Sequence, residues 1–261
     1  PRLGQILILI FAILLGNITS AKSNSQEDEI AETKLANESC FKCHGQKKYF
    51  YYNPELDREI KKSMCPDRII KADEYYSSNH RTFTCNTCHS DDYSNFPHSG
   101  GLRMEEKLVC IDCHGGDEDW AKYKFEEIEE EFVKSVHSTS YDEAFSCWMC
   151  HDPHSYHITL RTDSVLSNTI AYDNSICLSC HANIDKYQLL TDKINPNVLT
   201  THEWLPNQTL HFLNVRCIEC HVEIRDDIMV GHNIRPKEEA IHDCIECHSS
   251  DSRLMTTLYK H

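Results

Sequence analysis

After its first twenty-one residues the chain has no long apolar run: Ile, Leu and Val are interspersed with charge almost throughout. An ordinary aliphatic core is thereby excluded, and something other than aliphatic side chains must fill the interior. Cations are also scarce, with 26 Lys and Arg against 41 Asp and Glu and a formal net charge of −15. Such a surface repels nucleic acid and attracts basic partners. The two longest stretches without a cysteine pair, residues 45–84 and 182–216, lack the Gly and Ser enrichment of a flexible linker. They predict one continuous domain over residues 22–261, with a weaker break near 117–140.

The single apolar run, Ile6 to Leu15, follows Arg2 and precedes Thr19-Ser20-Ala21. This order predicts a signal peptide over residues 1–21, hence export to the periplasm or the extracellular surface. Ten apolar residues are too few to span a bilayer as a helix. Removal of Arg2 with this segment leaves 25 cations against 41 acids, a charge of −16.

What the chain has in excess is cysteine, 15 residues, and histidine, 17. Fourteen cysteines fall in seven Cys-x-x-Cys-His units, numbered here motifs 1 to 7: Cys40/Cys43/His44, Cys85/Cys88/His89, Cys110/Cys113/His114, Cys147/Cys150/His151, Cys177/Cys180/His181, Cys217/Cys220/His221 and Cys244/Cys247/His248. Disulfides or zinc knuckles explain the cysteine pairs but not a histidine after every one, a coincidence with a probability on the order of 10⁻⁸. Two thiols that add across the vinyl groups of one haem, followed by an imidazole that ligates its iron, require this spacing. The predicted cofactors are seven covalent haem c groups.

On these motifs the sequence resembles the multihaem c-type cytochromes over Cys40 to His248, nearly the whole mature chain. About 34 residues per haem imply that the macrocycles form the hydrophobic core. The expected fold is mainly α, irregular, with little regular secondary structure. Intervals between motifs vary, so no solenoid repeat is expected. The best helix candidate is Asp117 to His137, with apolar residues at Trp120, Tyr123, Phe125, Ile128 and Phe132 and His137 at its end.

Ten further histidines remain for seven sixth positions: His80, His98, His137, His154, His157, His202, His211, His232, His242 and His261. That surplus favours two imidazoles on most or all irons. In the resembled family a distal ligand often lies a few residues before or after a motif and serves a different haem. This pattern selects His80, His98, His137, His154, His202, His211 and His232. Met64, Met104, Met149, Met229 and Met255 could ligate instead and would raise the potential, but the histidine surplus makes them unnecessary.

Doubly ligated irons pass electrons and bind no substrate, so electron relay between redox proteins outside the cytoplasm is the leading expectation, and a carrier is favoured over an enzyme. The resemblance implies a membrane quinol-oxidising complex as one partner, with peripheral membrane association, and a soluble or cell-surface acceptor as the other. The rival readings are an oxidoreductase acting on a small nitrogen or sulfur compound at one open haem, and a subunit of a conducting filament. Cys65, the fifteenth cysteine, keeps the first rival open, and the terminal motifs with His261 keep the second.

Overall fold

A computed structural model describes residues 26–141, 145–158, 166–194, 197–223 and 230–249. The expected signal peptide, Met229, Met255 and His261 lie outside these residues. The described chain is mainly α-helical, about 53% helix, with one two-stranded sheet. Helix is more plentiful than expected but comes in short pieces. Among the described residues only α1 (26–44) and α6 (Leu166–His181) are longer than eight residues.

The contacts divide the chain into two compact units. One comprises Pro1–Lys107 with Pro153–His157, the other Leu108–Asp152 with Ile158–His261. Residues 117–140, where the sequence suggests a weaker break, lie within the second unit. Motifs 1 and 2 fall in the first unit and motifs 3 to 7 in the second.

In the first unit, α1 turns Thr33, Asn37, Cys40 and His44 toward one face, the three- and four-residue spacing that one helix stripe requires. Thr33 and Asn37 are almost fully buried. The Thr33 hydroxyl donates to the Thr82 carbonyl at 2.9 Å. Phe41 packs on Tyr75 and Tyr76 of α2 (Ala72–Ser77), with ring centres 6.0 and 5.7 Å away. The buried Tyr75 donates its hydroxyl to the Phe83 carbonyl at 2.7 Å. Between α1 and α2, β1 (Lys48–Asn53) and β2 (Arg58–Ser63) form an antiparallel hairpin. Alternation puts Tyr49 and Tyr51 on one face, where both rings meet Phe96 edge-on. The Asn53 side chain closes the turn by accepting from the Glu55 and Leu56 amides.

The second unit holds α3 (Cys110–His114), α4 (Phe125–Phe132), α5 (Val136–Tyr141), α6, α7 (Ile184–Leu190), α8 (Val198–Thr201), α9 (Gln208–Asn214), α10 (Ile218–His221) and α11 (Ile245–His248). The side chains of Asn183 and Asn197 cap α7 and α8. The helix expected over 117–137 is broken. Lys124 adopts a left-handed φ of 54° between a 3-10 turn (Ala121–Tyr123) and α4, and the chain turns again at the buried Ser135. His137 consequently sits in the first turn of α5 rather than at a helix end.

Gly45 and Gly115 directly follow motifs 1 and 3, and each amide closes the last turn on the carbonyl four residues back, Phe41 and Ile111. A Cβ on either glycine would stand 2.6 Å from that oxygen. Gly115→Ala is expected to cost about 1–3 kcal/mol through this clash, read as a lower urea midpoint at unchanged slope.

Candidate functional site

Two imidazoles that share one transition-metal ion have fixed spacing. Each nitrogen bonds the ion at about 2 Å and its ring centre lies about 1 Å further, so the centres stand about 6 Å apart. Among the described residues six pairs of histidines have this separation. His44 faces His98 at 6.3 Å and His89 faces His154 at 6.0 Å. His151 faces His232 at 6.3 Å and His181 faces His137 at 6.1 Å. His221 faces His202 and His248 faces His211, both at 6.1 Å. Every pair joins a motif histidine to one of the selected distal residues.

The partners are exchanged between motifs. His98 follows motif 2 but meets motif 1, and His154 follows motif 4 but meets motif 2. His137 precedes motif 4 and meets motif 5, whereas His232 follows motif 6 and meets motif 4. His202 and His211 flank the start of α9 and meet motifs 6 and 7. His114 stacks on Phe125 at 4.7 Å and meets Trp120 edge-on at 4.6 Å, and His80 stacks on Phe83 at 5.6 Å.

Hydrogen bonds fix the tautomer of several rings. A carbonyl only accepts, so Nδ1–H donates from His44 to Arg68, His98 to Asn95, His202 to Val198 and His232 to Val230, at 2.7–3.0 Å. His211 makes a longer bond to Asn207 at 3.4 Å. Nδ1 protonation leaves the Nε2 lone pair as the ring's ligand atom. His157 and His242, which the spacing pattern did not select, carry the same bond, to Ser155 and Ala240.

Burial favours the neutral ring at six histidines. It lowers His137 to about 4, with His181 and His221 adding to the effect. Burial is also the main cause of the lowered basicity of His89, His151, His181, His221 and His232. Metal ligation needs this neutral form.

The motifs are also held next to one another. The first cysteines of motifs 1 and 2, Cys40 and Cys85, lie close enough to perturb one another, as do Cys110 with Cys147 and Cys177 with Cys217. Burial first, and then Cys40, pushes Cys85 up to about 12. No cystine joins the cysteines among the described residues.

Two asparagines, each three residues before a motif, build the first and third of these junctions. Asn37 accepts from the Cys85 amide at 2.7 Å and donates to the Phe83 carbonyl. Asn174 accepts from the Cys217 amide at 2.7 Å and donates to the Phe212 and Val215 carbonyls at 3.1 and 3.0 Å. Both are buried, and the strings NESCFKCH and NSICLSCH show the shared position. Sequence reasoning missed this signal, although it is legible. The second junction uses Trp148, whose Nε1–H donates to the Leu108 carbonyl at 2.7 Å.

Two buried charges also escaped sequence reasoning, since acids are everywhere in this composition. Arg216, next to Cys217, bonds Glu219 within motif 6 at 2.6 Å and Asp173 at 3.2 Å. Glu131 accepts from the His232 amide at 2.6 Å and so orients that ring's loop.

The apolar inventory is small. Tyr75, Leu102, Ile170 and Val222 are the buried hydrophobic residues among those described, whereas Leu199, Leu210, Leu213 and Ile245, beside the paired histidines of motifs 6 and 7, are exposed. Among the described residues no three His, Cys, Asp or Glu side chains converge on one point. Cys65 is exposed just after β2. No described helix is long and apolar enough to cross a membrane.

Compared with protein families, curated proteins and solved structures, the chain matches none.

Asn174→Ala would leave one buried amide and two carbonyls unsatisfied, so a loss of about 2–3 kcal/mol in urea unfolding is expected, with Asn37→Ala similar. The lowered histidines set a pH window. Between 6.5, the ordinary value, and about 4 for His137, the unfolded chain binds protons that the folded chain refuses. Stability should be flat above that window and fall as pH falls through it, measured by urea titration at stepped pH.

Proposed function

We propose that the chain is an electron-relay protein that carries a haem c at each of its seven motifs, outside the cytoplasm, between two redox partners. The observation that carries this reading is the set of six histidine pairs about 6 Å apart, each joining a motif histidine to a residue from a different part of the chain. The residues fit the group: two thiols and an imidazole per motif, a second imidazole at two-ligand spacing, and Nδ1 engaged so that Nε2 faces the metal.

When bound, haem c supplies one-electron exchange at its iron. The chain's own residues do the rest. Cys40, Cys43, Cys85, Cys88, Cys110, Cys113, Cys147, Cys150, Cys177, Cys180, Cys217, Cys220, Cys244 and Cys247 hold the group by thioether bonds. His44, His89, His151, His181, His221 and His248, with His98, His154, His232, His137, His202 and His211, would each supply a ligand nitrogen, two per group, and so would keep water and substrate off the metal. His114 supplies the first ligand at motif 3. The cysteine contacts between motifs 1 and 2, 3 and 4, and 5 and 6 hold neighbouring attachment points close, as electron hopping requires. The sparse buried hydrophobic set and the exposed leucines beside motifs 6 and 7 support a core completed by the macrocycles.

The test is direct. The intact mass should exceed the polypeptide by seven haems, and Soret absorbance should survive denaturation. Zinc or cystine at the motifs would overturn the reading. His232→Ala is expected to add a high-spin signal and a carbon monoxide shift equal to one haem in seven, where the parent protein shows neither at motif 4.

A further inference from the structure

The segment from motif 1 through the hairpin to the start of α2 reverses the charge of the rest of the chain. Residues 42–71 contain eight of the 26 Lys and Arg but only four of the 41 Asp and Glu, a local charge of +4 in a chain of −15. Within the hairpin Lys47, Lys48, Lys61 and Lys62 lie at its base with no acid among them, whereas Glu55, Asp57 and Glu59 surround the single cation Arg58 at the turn.

The outward face is also apolar. Phe50 and Tyr52 alternate with the packed Tyr49 and Tyr51, and they are 59% and 57% exposed. Lys61, the cross-strand neighbour of Phe50, holds its amine 5.4 Å from the centre of that ring, and Lys62 does the same over Tyr51. On this face Lys48 and Lys61 flank Phe50 toward the base, while Glu59 opposes Tyr52, whose hydroxyl donates to Asp57 at the turn; aromatic area bordered by lysine at the base is the composition of a protein-recognition surface.

The hairpin is tied to motif 1 at both ends. The Met64 amide bonds the Lys47 carbonyl at 2.9 Å and closes its base. Beyond it, the Arg68 carbonyl accepts from the His44 ring at 3.0 Å, and the Ile70 amide donates to the His44 carbonyl at 2.8 Å.

We infer that the outward face of this hairpin, Lys48, Phe50, Tyr52 and Lys61, with Lys62 on the other face of its base adding charge, docks an acidic redox protein and makes motif 1 the point of electron exchange with it. The inference rests on the relay reading, which requires a redox protein at some point of the chain. Charge complementarity selects the occupant's sign. The acidic turn argues against an anionic bilayer, which would meet Glu55, Asp57 and Glu59 at the hairpin's tip. Only one electron moves in an encounter: the partner loses it, one iron(III) becomes iron(II), and no bond changes.

Reduced plant-type [2Fe–2S] ferredoxin, a strongly acidic one-electron donor, serves as the probe, with its cluster oxidised by one electron as one haem is reduced. Two proteins of like net charge should react faster as salt rises, but the hairpin predicts the opposite, a rate that falls by about tenfold from low to physiological salt. Lys48→Glu/Lys61→Glu/Lys62→Glu should slow the reaction at low salt by about tenfold and reverse the salt dependence. The exposed Lys134→Glu/Lys186→Glu control should change neither. Phe50→Ser/Tyr52→Ser should weaken ferredoxin binding by calorimetry and leave the sign of the salt dependence intact. A wild-type rate that rises with salt, or an unchanged triple variant, would overturn the inference. So would hairpin-dependent sedimentation with phosphatidylserine vesicles or hairpin-dependent self-association, which assign the surface to a membrane or a second copy. Calorimetry on the intact protein reads binding without electron transfer, so docking can fail or hold independently of the relay reading.

Discussion

Two imidazoles held about 6 Å apart impose the main geometric constraint on this fold. The partners come from distant stretches, and each pairing fixes where two stretches of backbone must cross. His154 ties the segment after motif 4 to motif 2, and His232 ties the chain after motif 6 back to motif 4. The short helices follow from this. A CxxCH unit occupies one helical turn, and the chain must leave at once to deliver a ring elsewhere, which the tight turns at Gly45 and Gly115 permit.

The crossings are locked by polar groups more than by aliphatic packing. Asn37 and Asn174 each satisfy a cysteine amide of the next motif from within a helix, and Glu131 does the same for His232. Buried backbone donors that meet a single geometrically suited acceptor define register more narrowly than interchangeable methyl groups do. The Asp173–Arg216–Glu219 group fits the same logic, since its charges are costly to bury unless each has its partners.

Much of this was legible in the sequence. The motifs fix fourteen cysteines and seven histidines by spacing alone, and the residues that meet them could be named because histidine has few other reasons to be so frequent. Which ring meets which motif was not legible, because exchange between motifs depends on tertiary crossings that local spacing does not encode. The helix expected over 117–137 failed at Lys124, where a left-handed residue interrupts a sound apolar pattern. The hairpin was overlooked because the stretch was read as an interval between motifs, although YFYY is a run of strand-favouring aromatics followed by the turn residues Asn53 and Pro54. The repeated asparagine was visible in two strings but carried no meaning until its hydrogen bonds were seen.

The exchange of partners has a bearing on how such a chain matures. Synthesis is vectorial, so His44 and His89 emerge long before His98 and His154, and His151 waits longer still for His232. His202 and His221, by contrast, lie close together along the chain and can meet soon after both have appeared. The earlier motifs must therefore persist half-assembled while later segments are made, and motif 4 is completed after motifs 5 and 6, out of its order of appearance.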